Sequence, residues 1–473
     1  MKVITSKLLL LFVGILVLNC SNSYVDNIDR NEGYQFIPGY PEVRLVTAGI
    51  IDEYTDSTRI TVIGEIIYAS LIFKKVDDQF EAEITIDVQI IDNINPANII
   101  DLKTYPITVT EKDARTTNSQ KEYLFSKVYD LEPGDYTINF TVTDVNTNKQ
   151  TVRTSKAYIP NPVDPISHIT NIQIFSKDES LTNQFDPVTT YDISNQIDSV
   201  RFVFQVTNNN PDEPITIDSR LLKFRSDTTI ARPMSFTNYN SSHIVYKGIQ
   251  YDKFETITSS RRIINQPGSV SIEFIFPNLP RGNYRFEVRS AGEREEPLFK
   301  ARDFSVKSLN YPSLKTPREL AAPLAYLMDK KEYNRLMAIE NDVDLKKALD
   351  RFWLKNIKNS KKAQDVISLY YERVEQANKQ FASYKEGWKT DMGMIYILFG
   401  PPWYVTPTLD QISWAYSYNL DEFGRNFFFR SPRVKNSEYP FYNYLLLRTP
   451  QYHQVEYRQR ELWLNGLILK DNL

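Results

Sequence analysis

The chain has 473 residues, with 56 Lys and Arg against 59 Asp and Glu, a formal net charge of −3, three histidines and one cysteine. That balance gives no sign of the basic stripe a nucleic-acid partner demands, so none is expected, and a single cysteine excludes a disulfide framework or a cysteine-built zinc site. The length exceeds what one hydrophobic core serves and implies about three domains.

Lys2 and Lys7 precede an apolar run from Leu8 to Leu18, and the cysteine follows at once in "LVLNC". A basic flank and about 11 apolar residues make a signal peptide, too short to remain as a transmembrane helix. The stretch resembles a bacterial lipoprotein signal. Val17 and Leu18 hold the apolar positions of the lipobox, Cys20 stands where the lipidated cysteine stands, and Asn19 replaces the usual small residue. The resemblance implies cleavage before Cys20, acyl chains as the membrane anchor and, from Ser21 in place of Asp, the outer membrane. Residues 1–19 are then the signal and 20–44 a polar tether.

Period-two patterning follows. In "EAEITIDVQI" the residues Ala82, Ile84, Ile86, Val88 and Ile90 alternate with polar partners, as a strand with one wet face requires. "TINFTVTD", "SVRFVFQVTN" and "SVSIEFIF" repeat the alternation. An internal echo divides this all-β half: "LEPGDYTINF" from Leu131 and "LPRGNYRFEV" from Leu279 share a Gly turn and a tyrosine placed as in a tyrosine corner. The reading is two immunoglobulin- or fibronectin-like sandwiches, 45–160 and 165–308, separated by "YIPNPVDPIS". The second carries two longer loops, "NNNPDEP" and "FTNYNSSH", open to a ligand or serving as spacers.

The texture changes at "KTPRELAAPLAYLMDKKEY". Thr316 and Glu319 form a capping box with Pro317 at the first helical position. Leu345, Ala348, Leu349, Phe352 and Trp353, then Val366, Tyr370, Val374, Ala377 and Phe381, recur at helical spacing, so each helix has one buried stripe. Glu375 and Lys379 read as a solvated pair on the wet side. "MIYILF", Met394 to Phe399, is apolar at every position and reads as a central strand covered on both faces. "ISWAYSY", "NFFFR" and "YNYLLLR" are further strands, and "YRQRELWLNGL" is a last helix. Residues 316–473 thus form an α+β domain that holds all five tryptophans: Trp353, Trp388, Trp403, Trp414 and Trp463.

"FWLKN", "YYERVEQANKQF" and "GWKTDMGMIYILFGPP" in that order resemble the bacterial domain named for its Gly-Trp-x-Thr-Asp motif, over about 320–470. The resemblance implies an envelope protein and brings no established activity. Relatives commonly continue the motif as Asp-Arg-Gly; Met392 stands in place of that arginine, so no activity resting on it is expected here.

The motif reads as structural. Trp388 folds back as an apolar anchor beside Gly387, and Thr390 and Asp391 bond backbone N–H groups of a local turn. Gly393 supplies an unusual φ, and Gly400, Pro401 and Pro402 end the strand. On that reading Asp391→Asn is mild, because an amide oxygen still accepts a hydrogen bond. No catalytic set is expected. His168, His243 and His453 are scattered singletons, no metal-ligand spacing occurs, and no cofactor motif stands behind Gly400. The expected function is a non-catalytic, lipid-anchored scaffold whose sandwiches project the C-terminal domain toward an envelope protein. The alternative is a protein that binds or hydrolyses glycans through exposed aromatics such as Trp403 and Tyr404.

Overall fold

The computed structural model describes residues 23–26 and 36–471, apart from positions 53, 165, 179–183, 195, 211–212, 242–247, 292–297, 420–421, 423, 433–440 and 442. Cys20 and His243 therefore lie outside the described residues.

The alternating runs form the two sandwiches. Gln79–Asp92 buries Ala82, Ile84, Ile86, Val88 and Ile90. It lies between Ile99–Glu111 and Gly134–Asp144 in a five-stranded antiparallel sheet that also contains Lys74–Val76 and Lys149–Ile159. The three-stranded sheet of Val43–Ile51, Thr58–Ile67 and Glu122–Asp130 closes over it, and Phe125 meets Phe140 edge-on at 5.3 Å across the shared core. In the second sandwich, Ser199–Asn208 and Gly268–Pro277 belong to one sheet, and Ile215–Ser226, Gly282–Ser290 and Phe299–Val306 to the other. Phe202 stacks on Phe286 at 4.5 Å between them. Both expected tyrosine corners are present: Tyr136 Oη donates to the Glu132 carbonyl and Tyr284 Oη to that of Pro280, each four residues upstream.

Part of the tether is a strand. Ser23–Asp26 pairs in parallel with Phe299–Arg302 at the edge of the second sandwich's larger sheet. Sequence patterning misses it because four residues are too few to show periodicity; the edge at Phe299–Arg302, beside the Asp192–Ile193 pairing at Ser305–Val306, supplies the pairing groups.

The sandwiches lie side by side. The Gln205 amide brackets the Ile51 backbone, accepting from its N–H at 2.8 Å and donating to its carbonyl at 2.7 Å. Deeper in the same interface, Glu65 accepts from Thr189 Oγ1 at 2.5 Å and lies 3.5 Å from Arg44. Burial, then the charge of Glu122, raises the Glu65 carboxyl from 4.5 to about 7, against the opposing pull of Arg44 and Thr189. A carboxyl raised in the folded state binds protons that the unfolded chain has lost, so its contribution is full below about pH 4.5 and is lost as pH rises through about 7. Glu65→Gln is expected to flatten the fall in denaturation midpoint between pH 5 and pH 8. An unchanged slope would show that Glu65 does not set it.

In the C-terminal part, Thr316 and Glu319 close the capping box at Pro317–Ala321. Helices Lys330–Met337, Asp342–Asn356, Ser360–Phe381 and Tyr452–Leu464 pack with a four-stranded antiparallel sheet, Tyr404–Pro407, Gln411–Ala415, Asn426–Arg430 and Leu445–Leu446. Two readings are corrected. "MIYILF" belongs to a helix, Asp391–Phe399, buried on nearly every side; with no polar face its periodicity vanishes, and a buried helix then looks like a buried strand. Lys379 is buried, not solvated, and its ammonium meets Glu42 of the first sandwich at 2.7 Å. Among the described residues no helix is long and apolar enough to cross a membrane.

Candidate functional site

The motif is built by close approach of three backbones. Gly387–Lys389 is a short 3-10 turn pressed on the long helix Ser360–Phe381, and a Cβ at Gly387 would lie 1.9 Å from the Ala377 carbonyl oxygen. The next helix rests on that turn, where a Cβ at Gly393 would lie 2.0 Å from the Gly387 oxygen. Gly393 is therefore needed for lack of bulk and not, as expected, for an unusual φ. Trp388 is buried as an anchor: its N–H donates to Asn378 Oδ1 at 3.2 Å and its carbonyl accepts from Tyr326 Oη at 2.6 Å.

Thr390 caps the Asp391–Phe399 helix, its Oγ1 accepting from Gly393 N–H at 3.0 Å and donating to Gly387 O at 2.7 Å. Gly400 ends a helix, not a strand, with φ +84°; Pro401 and Pro402 then lead into the strand from Tyr404. The buried Arg373 guanidinium reaches the Ile397 carbonyl at 3.2 Å at that helix's C-terminal end, where a cation is favoured, and burial lowers its pKa to about 10. Met392 is half-buried against the core.

Asp391 does not serve the local turn. Its Oδ1 accepts from Arg448 Nη2 at 2.7 Å, and its Oδ2 accepts from Arg448 Nη1 at 2.6 Å and from Leu446 N–H at 2.8 Å. The two side chains are 1% and 0% exposed. Arg448 then grips the loop after strand Ile215–Ser226 of the second sandwich, donating to the carbonyls of Pro233 (3.1 Å), Tyr239 (2.8 Å) and Arg232 (3.0 Å). Lys385 donates to Thr229 O at 2.8 Å, with its pKa lowered to about 8 by burial against the pull of Asp227 and Asp391. Glu456 accepts from Met234 N–H at 3.0 Å. Ala231 and Met234 complete the C-terminal core, so "FTNYNSSH" belongs in part to a docked loop.

Sequence reasoning missed Arg448, Lys385 and the captured loop. Asp391 and Arg448 are 57 positions apart with no local pattern joining them. The buried pair is a positioned clamp and not an acid–base centre, since both carboxylate oxygens are occupied. His453 is exposed on its helix, His168 lies 3.3 Å from Tyr158 Oη, and the described residues hold no cluster of three metal-ligating side chains.

A cleft of about 870 Å³ lies beside the motif, between Thr228–Pro233 of the captured loop and the C-terminal helices. Trp388, Lys389, Tyr326 and Tyr333 line it, with Arg281 at the rim joined to Glu386. A separate aromatic patch sits on the exposed edge strand of the C-terminal sheet. Trp403 and Tyr404 are half-exposed, with ring centroids 5.4 and 6.0 Å from the exposed Tyr418.

Residues 293–465 match the family model of the GWxTD domain. The match begins earlier than the motifs suggest and takes in the last strand of the second sandwich, Phe299–Val306. No curated protein matches the chain. Among solved structures it is similar to red sea bream transglutaminase, at 11% identity over 56% of this chain and 31% of that one, with a TM-score of 0.17. It is also similar to Salmonella alpha-2-macroglobulin reacted with methylamine, at 13% identity over 59% of this chain and 17% of that one, with a TM-score of 0.19. The chain spans less than a third of either, and likenesses at these TM-scores carry no argument.

Proposed function

We propose that this chain, with its GWxTD domain, is a bacterial cell-envelope lipoprotein, held in the outer membrane by an acylated Cys20 and acting as a non-catalytic scaffold for a protein partner. One observation carries the reading: Trp388, Thr390 and Asp391 spend their polar groups inside the protein, so the motif has no hydroxyl or carboxylate turned to a substrate. What it organises is a joint between the second sandwich and the C-terminal helices, with the cleft of about 870 Å³ opening at that joint. Co-purification from detergent-solubilised membranes tests this, and a discrete partner lost on Trp388→Ala but kept on Trp403→Ala is the expected result.

The exposed rings of Trp403, Tyr404 and Tyr418 support a second reading, a glycan-binding surface, because sugar rings stack on such faces. A glycan array separates the two: binding abolished by Trp403→Ala, with no protein captured, would favour it. For the anchor, Cys20→Ala is expected to abolish palmitate labelling and leave the protein unprocessed. Labelling that survives the substitution would overturn the lipoprotein reading.

A further inference from the structure

The two sandwiches have a common polarity. Val43–Ile51 and Lys149–Ile159 run in the same direction, with Arg153 Nε bonding Val43 O and Thr47 Oγ1 bonding Ser155 Oγ. They begin near the C-terminal domain, where Glu42 meets Lys379, and finish where Ile51 meets Gln205. In the second sandwich the C-terminal domain is likewise held at one end: Asn283 Nδ2 donates to Tyr384 O at 2.9 Å, and Lys307 Nζ donates to Ser383 O at 2.5 Å. The opposite end is where Phe299–Val306 begins, and Ser23–Asp26 enters the sheet beside it, with Ser23 opposite Phe299. Cys20 is three positions before Ser23, and an extended chain covers at most about 3.5 Å per residue, so covalent reach alone keeps the anchoring position within about 10 Å of backbone from Ser23.

The same end carries a repeated device. In four turns an Asx side chain accepts a hydrogen bond from the N–H two residues on, and in each that residue is apolar. Asp52 accepts from Tyr54 (3.1 Å), Asp92 from Ile94 (2.8 Å), Asn161 from Val163 (3.1 Å) and Asp164 from Ile166 (3.0 Å). The polar side chain is folded onto its own turn, and the apolar one is thrust outward. Tyr54, Ile94 and Val163 are 96%, 85% and 84% exposed. Elsewhere the same turn presents Lys331, Thr229 or Arg115, and at Asn341 in the C-terminal domain it presents the 62%-exposed Val343, so it is the grouping of three such tips, not the turn itself, that distinguishes this end.

We infer that this end of the sandwich pair rests on the lipid surface, with Tyr54, Ile94 and Val163 as apolar tips dipping into the headgroup region and the C-terminal domain held away from it. The inference rests on the acylation of Cys20 proposed above. The short span from Cys20 to the sheet selects lipid as the occupant, since a second contact there needs no affinity of its own once the acyl chains are inserted. Tyr54 suits the interface, where an amphipathic ring has one apolar and one wet side. With Asp52 paired to Arg59 at 3.3 Å and Asp92 and Asp164 in their own turns, these turns carry no net positive charge to draw anionic lipid, so on zwitterionic liposomes the contact is apolar and insensitive to salt.

The test uses the full acylated protein in zwitterionic liposomes carrying a nitroxide at headgroup depth. Single cysteines replace Tyr54, Ile94, Val163 or, as a control on the Asp342–Asn356 helix, the half-exposed Leu354, and each carries an environment-sensitive dye. Cys20 is blocked by its acyl chains, so labelling is specific. Several-fold stronger quenching at the three tips than at Leu354, unchanged by added salt, is expected. Equal quenching at all four sites in protein that floats with the liposomes overturns the inference alone, as does a dye shielded before lipid is added, which would mark a protein partner at these tips. Protein that fails to float overturns the anchoring and the inference with it.

Discussion

Asp391→Asn is expected to destabilise the C-terminal part by about 3–5 kcal/mol, the usual cost of removing one partner from a buried ion pair. The sequence suggests a mild change, because an amide oxygen still accepts a turn hydrogen bond. In the structure the carboxylate accepts from Leu446 N–H and, through both oxygens, from Arg448. An asparagine offers one acceptor and turns two donors toward a guanidinium that is itself fully buried. The uncompensated charge is then left to neutral groups, the carbonyls of Arg232, Pro233, Tyr239 and Leu446 and the face of the Tyr239 ring. Loss of the clamp should therefore appear in two places, as faster amide exchange in the Asp391–Phe399 helix and in the loop around Met234. Local exchange is the proper readout, since a chain with several cores need not unfold in one step. An Asp391→Asn protein with unchanged exchange at both places and a null phenotype in cells would reverse the assignment and make Asp391 a reacting group.

The division between what the sequence discloses and what it hides follows interaction range. The sandwiches are legible because a half-wet sheet writes its burial into every second residue, as in Gln79–Asp92, and because each tyrosine corner closes within four residues. The capping box at Thr316 is equally local. The helix of the motif is half legible: Thr390 and Asp391 at its start and Gly400 at its end are proper boundary signals, but the apolar run between them outweighs them when only periodicity is consulted. Arg448, Lys385 and Glu456 are not legible at all. Each is an ordinary polar residue in its own neighbourhood and gains its role only when the loop at 229–239 arrives from another part of the chain. Lys379 misleads for the same reason, since its partner Glu42 belongs to the first sandwich. Local pairs leave a local trace; joints between domains leave none.

Trp388→Ala is expected to cost about 3–5 kcal/mol, the range for truncating a large buried aromatic. The indole is 4% exposed and meets Tyr326 edge-on at 6.3 Å, with the Lys389 ammonium 5.3 Å above its face. Its position decides how the loss is distributed. The flanking glycine is already in contact with the Ala377 carbonyl, so the turn cannot sink further onto the long helix to close the void. The void instead opens toward the cleft that Trp388 lines, and water enters from that side. The damage should concentrate in Gly387–Phe399, through the Trp388 backbone bonds to Asn378 and Tyr326, and leave exchange in the first sandwich unchanged. Trp388→Phe retains an aromatic ring against Tyr326 and should lose much less. If Trp388→Ala keeps the wild-type denaturation midpoint yet no longer captures the partner, Trp388 is a contact residue of the cleft and not the anchor of the motif.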